Sequence, residues 1–398
     1  MTTTLDLSEL PGFREDPYPY YAKLRARGPV HRVRDCLRPV GDPNGHFWLI
    51  VGHEEAHAAL VDPRLIKNPQ AVGFSSADME IIGPSLLQRD PPHHTRLRKL
   101  ISREFTARRM QQLAPRIQQI TDELLDAMVP AGRADLVTDF AFPLPITVIC
   151  ELLGVPMTDR DSFRALSNEL VAPTDLSKRE DSLRYFVDYL DDLIADKRSG
   201  GGSDDLLSAL IRTRDEGDDH LTGPELRALA HLLLIAGHET TVNLIVNGVR
   251  ALLAHPEQLA ALRADFTLLD GAIEEVLRYD GPVETATHRF TAEPVEIADT
   301  VIPAGEMVVV GLGPADRDPT RFPDPDRFDI HRDARGHIAF GHGIHFCIGA
   351  PLARLEARIA LKTLFTRCPE LAVDPSAEPL DWLPGLLIRG VRNLPVRF

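Results

Sequence analysis

The stretch FGHGIHFCIG, residues 340–349, places Cys347 among glycines, phenylalanines and histidines, immediately before the helical pattern APLARLEARIAL. Glycines allow a loop backbone to approach another group closely. The unpaired N–H groups and the dipole at a helix N-terminus favour a thiolate, which is the form of cysteine that binds metals. The surroundings of Cys347 therefore predict a metal-binding thiolate in a loop.

The other cysteines show no such pattern. Cys36, Cys150 and Cys368 lie far apart in the chain, and the four cysteines include no Cys-x-x-Cys pair. So few and so scattered cysteines suggest neither a disulfide framework nor a zinc ribbon. We therefore expect these three to be reduced structural residues.

Length and composition indicate a globular, acidic protein. Its 398 residues are 43% apolar, and its formal charge is -15. Nucleic-acid binding needs clustered cations, so this charge argues against general affinity for nucleic acid. The first twenty residues contain no signal pattern and no run of the ~20 apolar residues that a membrane span needs. We expect a soluble, monomeric, cytoplasmic protein that binds neither nucleic acid nor membranes.

Helical periodicity dominates the chain. Segments 90–105, 110–129 and 179–198 repeat apolar residues at the spacing of one helix face, whereas 295–312 alternates and turns as strands do. No internal repeat and no domain boundary is evident. We therefore predict one domain over residues 1–398, mainly α with a small β-sheet region.

The longest predicted helix contains a polar notch. Thr222 and Glu225 form a capping-box start, and the apolar pattern runs to Ala254. Inside it, AGHETT at 236–241 includes a glycine, which costs ~1 kcal/mol relative to alanine in a helix. A zinc-protease HExxH pattern is excluded, because Val242 stands where the second histidine belongs. The notch is then either a helix kink whose polar groups are hydrogen-bonded within the protein or a functional site.

A third feature is the pair Glu275 and Arg278, spaced i, i+3 in AIEEVLRYDGPV. This spacing lets the two side chains pair on one helix face. Most pairs of this kind are solvated surface bridges, so the pair alone indicates little.

Together the three segments resemble the cytochrome P450 family. FGHGIHFCIG matches the family's haem-binding signature, Phe-x-x-Gly-x-His/Arg-x-Cys-x-Gly, at every fixed position. AGHETT resembles the oxygen-binding helix pattern Ala/Gly-Gly-x-Asp/Glu-Thr-Thr, and Glu275 with Arg278 resembles the Glu-x-x-Arg helix. The run DPPHHTRLR at 90–98 resembles the soluble bacterial branch, with His93 where glutamate is commoner.

The resemblance implies a P450 fold and a haem b cofactor whose iron is bound by Cys347. Donors are needed for the two haem propionates, since buried carboxylates require compensation. Glu275 and Arg278 would lock the meander at 317–330. The cofactor-binding residues that the resemblance implies are His94, Arg98, Ala236, Arg289, Phe340, Gly341, His345, Cys347 and Gly349, of which His94, Arg98, Arg289 and His345 would meet the propionates.

The implied activity is that of a monooxygenase. A thiolate ligand donates electron density to iron and favours cleavage of the O–O bond of dioxygen. Glu239 and Thr240 would relay protons, and Gly237 would leave room for the dioxygen molecule. Candidate walls of an apolar substrate pocket are Phe74, Met79, Ile82, Leu233, Ala236, Val283, Thr287 and Leu387.

The resemblance also implies a substrate class and electron partners. The soluble branch favours a bulky apolar molecule such as a macrolide, another polyketide or secondary metabolite, or a steroid-like compound. The chain has no flavin- or nicotinamide-binding fingerprint, so ferredoxin reductase and ferredoxin would bring electrons from NAD(P)H. The expected docking face for ferredoxin is basic and comprises Arg96, Lys99, Arg103, Arg108, Arg109, Arg354 and Arg358.

Two alternatives share the same fold. A peroxygenase would use peroxide directly, but such members generally lack the acid–alcohol pair that Glu239 and Thr240 supply. A haem-thiolate sensor or binding protein would keep Cys347 and have no use for a proton relay.

Overall fold

Helices dominate the computed structural model, which describes residues 5–7, 10–34, 45–74, 77–156, 176–200, 204–213 and 219–398. Cys36 lies outside these ranges. The α-helices in them are α1 (Tyr18–Arg25), α2 (His53–Val61), α3 (Ala77–Ile82), α4 (His93–Ser102), α5 (Ala107–Gln112), α6 (Ala114–Met128), α7 (Pro143–Leu153), α8 (Leu176–Ser199), α9 (Leu206–Arg212), α10 (Gly223–Ala254), α11 (Pro256–Ala264), α12 (Leu269–Asp280), α13 (Leu312–Asp316) and α14 (Ala350–Arg367).

Within the described residues, three small sheets accompany the helices. The largest has the order β1-β2-β8-β5-β3, in which β2 and β8 are parallel and the other neighbours are antiparallel. A second sheet has the order β4-β10-β9, and β6 pairs with β7 alone. The strands are β1 (Val30–Arg34), β2 (His46–Ile50), β3 (Leu65–Ile66), β4 (Arg133–Asp135), β5 (Arg289–Thr291), β6 (Val295–Ile297), β7 (Thr300–Ile302), β8 (Met307–Val310), β9 (Ala372–Val373) and β10 (Pro395–Arg397). The predicted class, mainly α with a small β-sheet region, is confirmed.

Helix α10 crosses the middle of the protein and has the predicted bounds. The Thr222 hydroxyl accepts the backbone N–H of Glu225 at 3.4 Å, and the Glu225 carboxylate accepts the N–H of Thr222 at 2.9 Å. These two bonds are the predicted capping box. By length and composition α10 could cross a membrane, but 61% of its most apolar 18-residue stretch is buried, as in a core helix. It packs against α7, α8, α12 and α14.

The predicted helix at 110–129 is divided into α5 and α6. Leu113 ends α5, and Pro115 occupies the first turn of α6. Proline has no N–H to donate, so it is tolerated in a first turn but interrupts the hydrogen bonds of a continuous helix. The apolar periodicity continues across this break and did not reveal it.

The pair of Glu275 and Arg278 is buried, unlike most i, i+3 pairs. Both side chains are 0% exposed, and two bonds of 2.7 and 2.9 Å join them. The guanidinium also donates to the carbonyls of Asp316 and Pro325 at 3.0 and 2.9 Å. The Glu275 carboxylate accepts the N–H of Asp329 at 2.9 Å. The pair therefore ties α12 to the irregular segment that precedes the Cys347 loop.

Removing Glu275 should destabilise the protein strongly. The Glu275→Ala substitution leaves the Arg278 charge buried with carbonyl acceptors only. Breaking a buried pair by removing one partner costs about 3–5 kcal/mol. We expect the free energy of unfolding, measured by urea denaturation and circular dichroism, to fall by about that amount.

The matched control is Asp333→Ala. Asp333 pairs with Arg335 at 2.6 Å, but the two side chains are 61% and 89% exposed. Solvent screens such a pair, so its loss should leave the free energy of unfolding almost unchanged. An equal effect of the two substitutions would contradict the role given to Glu275.

Candidate active site

Cys347 lies in a tight loop that ends at α14. Gly341 and Gly343 have φ values of 72° and 74°, which side chains rarely adopt. A Cβ on Gly343 would stand 2.8 Å from Cγ1 of Val61, so α2 also requires glycine there. The N–H of Cys347 donates to the carbonyl of Phe340 at 3.0 Å and closes the loop.

Burial raises the pKa of the Cys347 thiol above its ordinary value. The N–H groups of Gly349 and Ala350 and the cations Arg98 and Arg354 act in the opposite direction. The expected contribution of the helix N-terminus is therefore present, but burial outweighs it. A thiol that coordinates a metal ion is deprotonated by the metal itself.

A cavity of about 260 Å³ lies between the Cys347 loop and α10. Most of the predicted cofactor residues and half of the predicted pocket residues contribute to its wall. They are Arg98, Leu233, Ala236, Val283, Thr287, Arg289, Phe340, Gly341, His345, Cys347 and Gly349. Further apolar wall residues include Leu86, Leu87, Leu232 and Ala286. His94 is not in the wall, but its ring lies 4.3 Å from the ring of His345.

Four polar side chains converge on one side of this cavity from three separate parts of the chain. His94 and Arg98 come from α4, Arg289 begins β5, and His345 precedes the cysteine. Arg98 Nη2 donates to the carbonyl of Phe346 at 2.8 Å. Arg289 donates to the carbonyls of Leu65 and Leu60 at 3.1 and 3.0 Å. These bonds fix both guanidinium groups beside the cavity.

This cluster contains buried side-chain nitrogens that have no hydrogen-bond partner among the described residues. Both ring nitrogens of His94, Nε2 of His345 and Nε of Arg289 are buried and unpartnered there. Burial, together with the charges of Lys67, His94, Arg289 and Arg98, lowers the pKa of His345 to about 2. Burial likewise lowers the pKa of Arg289 to about 10, although Asp90 and Asp62 act to raise it. The site therefore fits an anionic ligand with several carboxylate oxygens.

Side-chain hydrogen bonds explain the notch of α10. His238, Thr240, Thr241 and Asn243 each donate to the carbonyl four residues earlier, at 2.6, 3.0, 3.5 and 2.8 Å. Such bonds share carbonyls with the helix backbone and are typical of local distortion. Thr240 and Thr241 line the cavity, whereas Glu239 does not.

In the structure, helix packing explains why position 237 is glycine, in addition to the predicted space for dioxygen. A Cβ at this position would stand 2.9 Å from Cδ1 and Cγ1 of Ile149 on α7. Glycine is therefore required by the close approach of α7 to α10. Gly237 also contributes to the cavity wall.

Glu239 is turned toward His238 instead of the cavity. Its Oε1 lies 3.2 Å from Nε2 of His238, and its side chain is 12% exposed. The sequence placed the acid and the alcohol of the predicted relay side by side. The structure brings only the alcohol, Thr240, to the cavity wall.

Three predicted pocket residues lie elsewhere. Phe74 packs against Phe290, with ring centroids 5.5 Å apart. Ile82 is buried in a separate apolar cluster with residues of α8 and α10. Leu387 is 39% exposed, because its neighbour Leu386 takes the buried side of this extended segment. The side chain of Met79 lies outside the described residues.

Lys67 is a cavity residue that sequence analysis did not identify. It is 4% exposed, and its Nζ donates to the carbonyls of Thr287 and His288 and to the Thr287 hydroxyl, at 2.8, 2.9 and 2.5 Å. Because Lys67 only donates, the Thr287 hydroxyl keeps its own hydrogen for another acceptor. The run LIKNPQ carries no signal that distinguishes Lys67 from a solvated lysine.

Comparison with known proteins identifies the class. The sequence model of cytochrome P450 matches residues 161–391. The chain is 56% identical to the cytochrome P450 monooxygenase PikC of Streptomyces venezuelae, over 99% of this chain and 94% of that protein. It is 46% identical to the 6-deoxyerythronolide B hydroxylase of Saccharopolyspora erythraea, over 100% and 99% of the two chains. The tirandamycin C-bound P450 monooxygenase TamI has a TM-score of 0.89 and 43% identity, over 99% of each chain.

These likenesses and the fold define a soluble bacterial type of monooxygenase. The chain belongs to the cytochrome P450 family. Family membership implies a haem cofactor, and the site fits one. The unpartnered nitrogens of His94, Arg289 and His345 would bind the two propionates, and the Cys347 thiol at the cavity would bind the iron.

We predict that haem binding depends on the two propionates. Apoprotein should bind iron protoporphyrin IX stoichiometrically, because its carboxylates satisfy the buried donors. The dimethyl ester, which lacks both negative charges, should bind at least about tenfold more weakly, since a hydrogen bond to a charged group contributes about 1.5–3 kcal/mol. Absorbance titration of the apoprotein measures both affinities. Equal affinities would contradict this account of the donor cluster.

Proposed function

We propose that the enzyme inserts one atom of O2 into a bulky, mainly apolar molecule of the macrolide or polyketide class. The proposed cofactor is haem b, and the proposed location is the cytoplasm. Electrons would come from NAD(P)H through ferredoxin reductase and ferredoxin. The observation that carries the substrate class is the wall of the cavity, which is mostly aliphatic with a few hydroxyl groups. Relatives named for 6-deoxyerythronolide B and tirandamycin C support the same class.

The residues of the chain have separate roles in this proposal. When bound, a thiolate-ligated haem activates dioxygen by favouring O–O cleavage. Cys347 supplies the thiolate, and Arg98, Arg289, His94 and His345 hold the propionates. The aliphatic wall of the cavity excludes water and binds the apolar body of the substrate.

Thr240 and Glu239 are the proposed proton relay. The Thr240 hydroxyl stands in the cavity wall and donates to the Ala236 carbonyl at 3.0 Å, so its oxygen can still accept a hydrogen bond. The Glu239 carboxyl lies one residue away, outside the wall. In this arrangement Glu239 supplies the proton, and the Thr240 hydroxyl passes it into the cavity.

A substrate screen with two oxidants tests the proposed function. Macrolactones, with 6-deoxyerythronolide B first, should produce the spectral shift that follows displacement of iron-bound water. The bound compound should then be oxidised in air by NAD(P)H, ferredoxin reductase and ferredoxin. Product analysis by mass spectrometry should show one added oxygen atom, labelled when the gas is ¹⁸O2.

The other outcomes identify the alternatives. Full turnover with peroxide under anaerobic conditions, but none with O2 and NAD(P)H, would identify a peroxygenase. A spectral shift without product under either condition would identify a sensor or binding protein. Either result would contradict the proposed monooxygenase reaction.

The structure changes which cations suit the proposed ferredoxin face. Four of the seven expected cations are only partly exposed, and the ion pairs that hold them are as follows. Arg96 pairs with Asp219 and Glu225 at 2.5 and 2.6 Å, Arg109 with Glu104 at 2.6 Å, Arg354 with Glu274 at 2.6 Å and Arg358 with Asp270 at 2.6 Å. The remaining three, Lys99, Arg103 and Arg108, are exposed. We propose that these three attract the acidic ferredoxin.

The docking proposal predicts a salt-dependent electron transfer. Lys99→Glu combined with Arg103→Glu should slow first-electron transfer from ferredoxin in stopped-flow experiments. Salt screens charges beyond ~10 Å at 0.1 M, so the difference from wild type should shrink as ionic strength rises. Reduction by dithionite and substrate affinity should stay unchanged.

The matched control reverses two exposed cations of the second sheet, Arg133→Glu with Arg397→Glu. This control makes the same change in net charge away from α4. Equal slowing by both double variants would indicate a general charge effect. Rates unaffected by the Lys99 and Arg103 reversals would place the ferredoxin elsewhere.

A further inference from the structure

His238 is a fully buried histidine that the mechanism above does not use. It belongs to the AGHETT notch of α10, is 0% exposed and does not line the cavity. Its ring stands edge-on to the ring of Phe142, with centroids 5.6 Å apart and an angle of 85°. Packing therefore holds the imidazole in one orientation beside Glu239.

The hydrogen bonds of this imidazole determine where its protons lie. Nδ1 is 2.6 Å from the carbonyl oxygen of Leu234, and a carbonyl oxygen can only accept. Nδ1 therefore carries a hydrogen. Nε2 lies 3.2 Å from Oε1 of Glu239, and one hydrogen is needed for a bond between these two atoms. Either Nε2–H donates to a carboxylate, or a carboxylic acid donates to bare Nε2.

We propose that His238 is a positioning residue that holds Glu239 and shares one proton with its carboxyl. The proposal rests on the proposed monooxygenase function, in which Glu239 supplies protons toward Thr240. In both arrangements of the shared proton the pair has no net charge. Burying a lone carboxylate would be costly, so this neutrality favours Glu239 in its partly buried position.

The proton balance of the proposed step is simple. The shared proton first stands on Oε1, so Nε2 of His238 is bare and the imidazole is neutral with its hydrogen on Nδ1. Glu239 then gives this proton toward the Thr240 side of the cavity and becomes a carboxylate beside the neutral imidazole. One proton from solvent water restores the pair before the next turnover. No electron moves in this sequence, and one proton enters for each proton delivered.

Nitrogen NMR tests the shared proton without any substrate. The holoenzyme is labelled with ¹⁵N-histidine and kept in its reduced, carbon monoxide-bound, diamagnetic state. The His238 signals are assigned by their loss in His238→Gln. Nδ1 should show the shift of a hydrogen-bearing nitrogen, and Nε2 should show a shift between the bare and hydrogen-bearing values. Glu239→Gln should move the Nε2 signal and leave the Nδ1 signal in place.

Two NMR results would overturn the proposal. A bare Nδ1 would show that the Leu234 bond does not fix the tautomer. An Nε2 signal that is unaffected by Glu239→Gln would show that no proton is shared. If the His238 variant folds poorly, the Glu239→Gln spectrum alone still decides, because proton sharing requires one histidine Nε2 signal to move while the Nδ1 signal of the same ring stays in place.

Turnover then tests the role of the pair, with 6-deoxyerythronolide B as the probe substrate. His238→Gln keeps a hydrogen-bonding group but cannot exchange a proton, and His238→Leu loses both properties. In each variant the product formed per NAD(P)H consumed should fall about tenfold and peroxide should rise, a smaller loss than the about 10²–10⁴ of a directly acting acid. Thr240→Ala is the positive control for uncoupling.

The matched control is His231→Gln, two turns earlier on α10. His231 also packs edge-on to an aromatic ring, that of Phe186 at 5.4 Å, and it does not line the cavity. The product formed per NAD(P)H consumed should be the same in His231→Gln as in the wild type. Full coupling in His238→Gln would overturn proton sharing as a functional property. If the wild type forms no product from this probe, the substrate proposal fails instead, and the NMR result still tests His238.

Discussion

Positive charge buried beside a cavity is the constraint on which the rest of this structure depends. Arg98, Arg289 and Lys67 stand around one wall, and their charges lower the pKa of His345, which burial lowers first. Backbone carbonyls hold the three cations in place, at 2.8 Å for Arg98 and Lys67 and at 3.0 Å for Arg289. Carbonyls orient these charges but do not neutralise them. The two carboxylates of a bound haem would add negative charge beside these cations, so binding of the cofactor would stabilise the folded site.

The same dependence explains how distant elements are arranged. Helix α4, strand β5 and the Cys347 loop each contribute donors to the cluster, and the buried Glu275–Arg278 pair anchors the segment leading into that loop. The loop must be in place before Cys347 can face the cavity. On the opposite wall, α10 presents Thr240. Close packing of Ile149 on α7 against Gly237 fixes how near α10 lies to α7. Cys347 and Thr240 therefore line the same cavity.

The sequence predicted the features whose signals are local. The bounds of α10 followed from its capping box, and the Cys347 loop followed from glycines that two positive φ values now explain. Contacts between residues that are far apart in the sequence leave no such local pattern. In the sequence, Arg96 cannot be distinguished from a solvated surface arginine. Its pairing with Asp219 depends on how α4 lies against the start of α10. The exposure of Leu387 and the burial of Lys67 likewise depend on which side of an extended segment each side chain takes. The direction of Glu239 depends on a rotamer, which no residue pattern determines.

The identity of the iron ligand tests the central claim most directly. The absorption spectrum of the reduced, carbon monoxide-bound protein reports the ligand opposite to the gas. We predict the red-shifted Soret band of thiolate-ligated haem in the wild type, and the same band in Cys150→Ala and Cys368→Ala, whose thiols are buried elsewhere. Cys347→Ala should lose this band. A Cys347→Ala protein that retains haem with the red-shifted band would contradict the account.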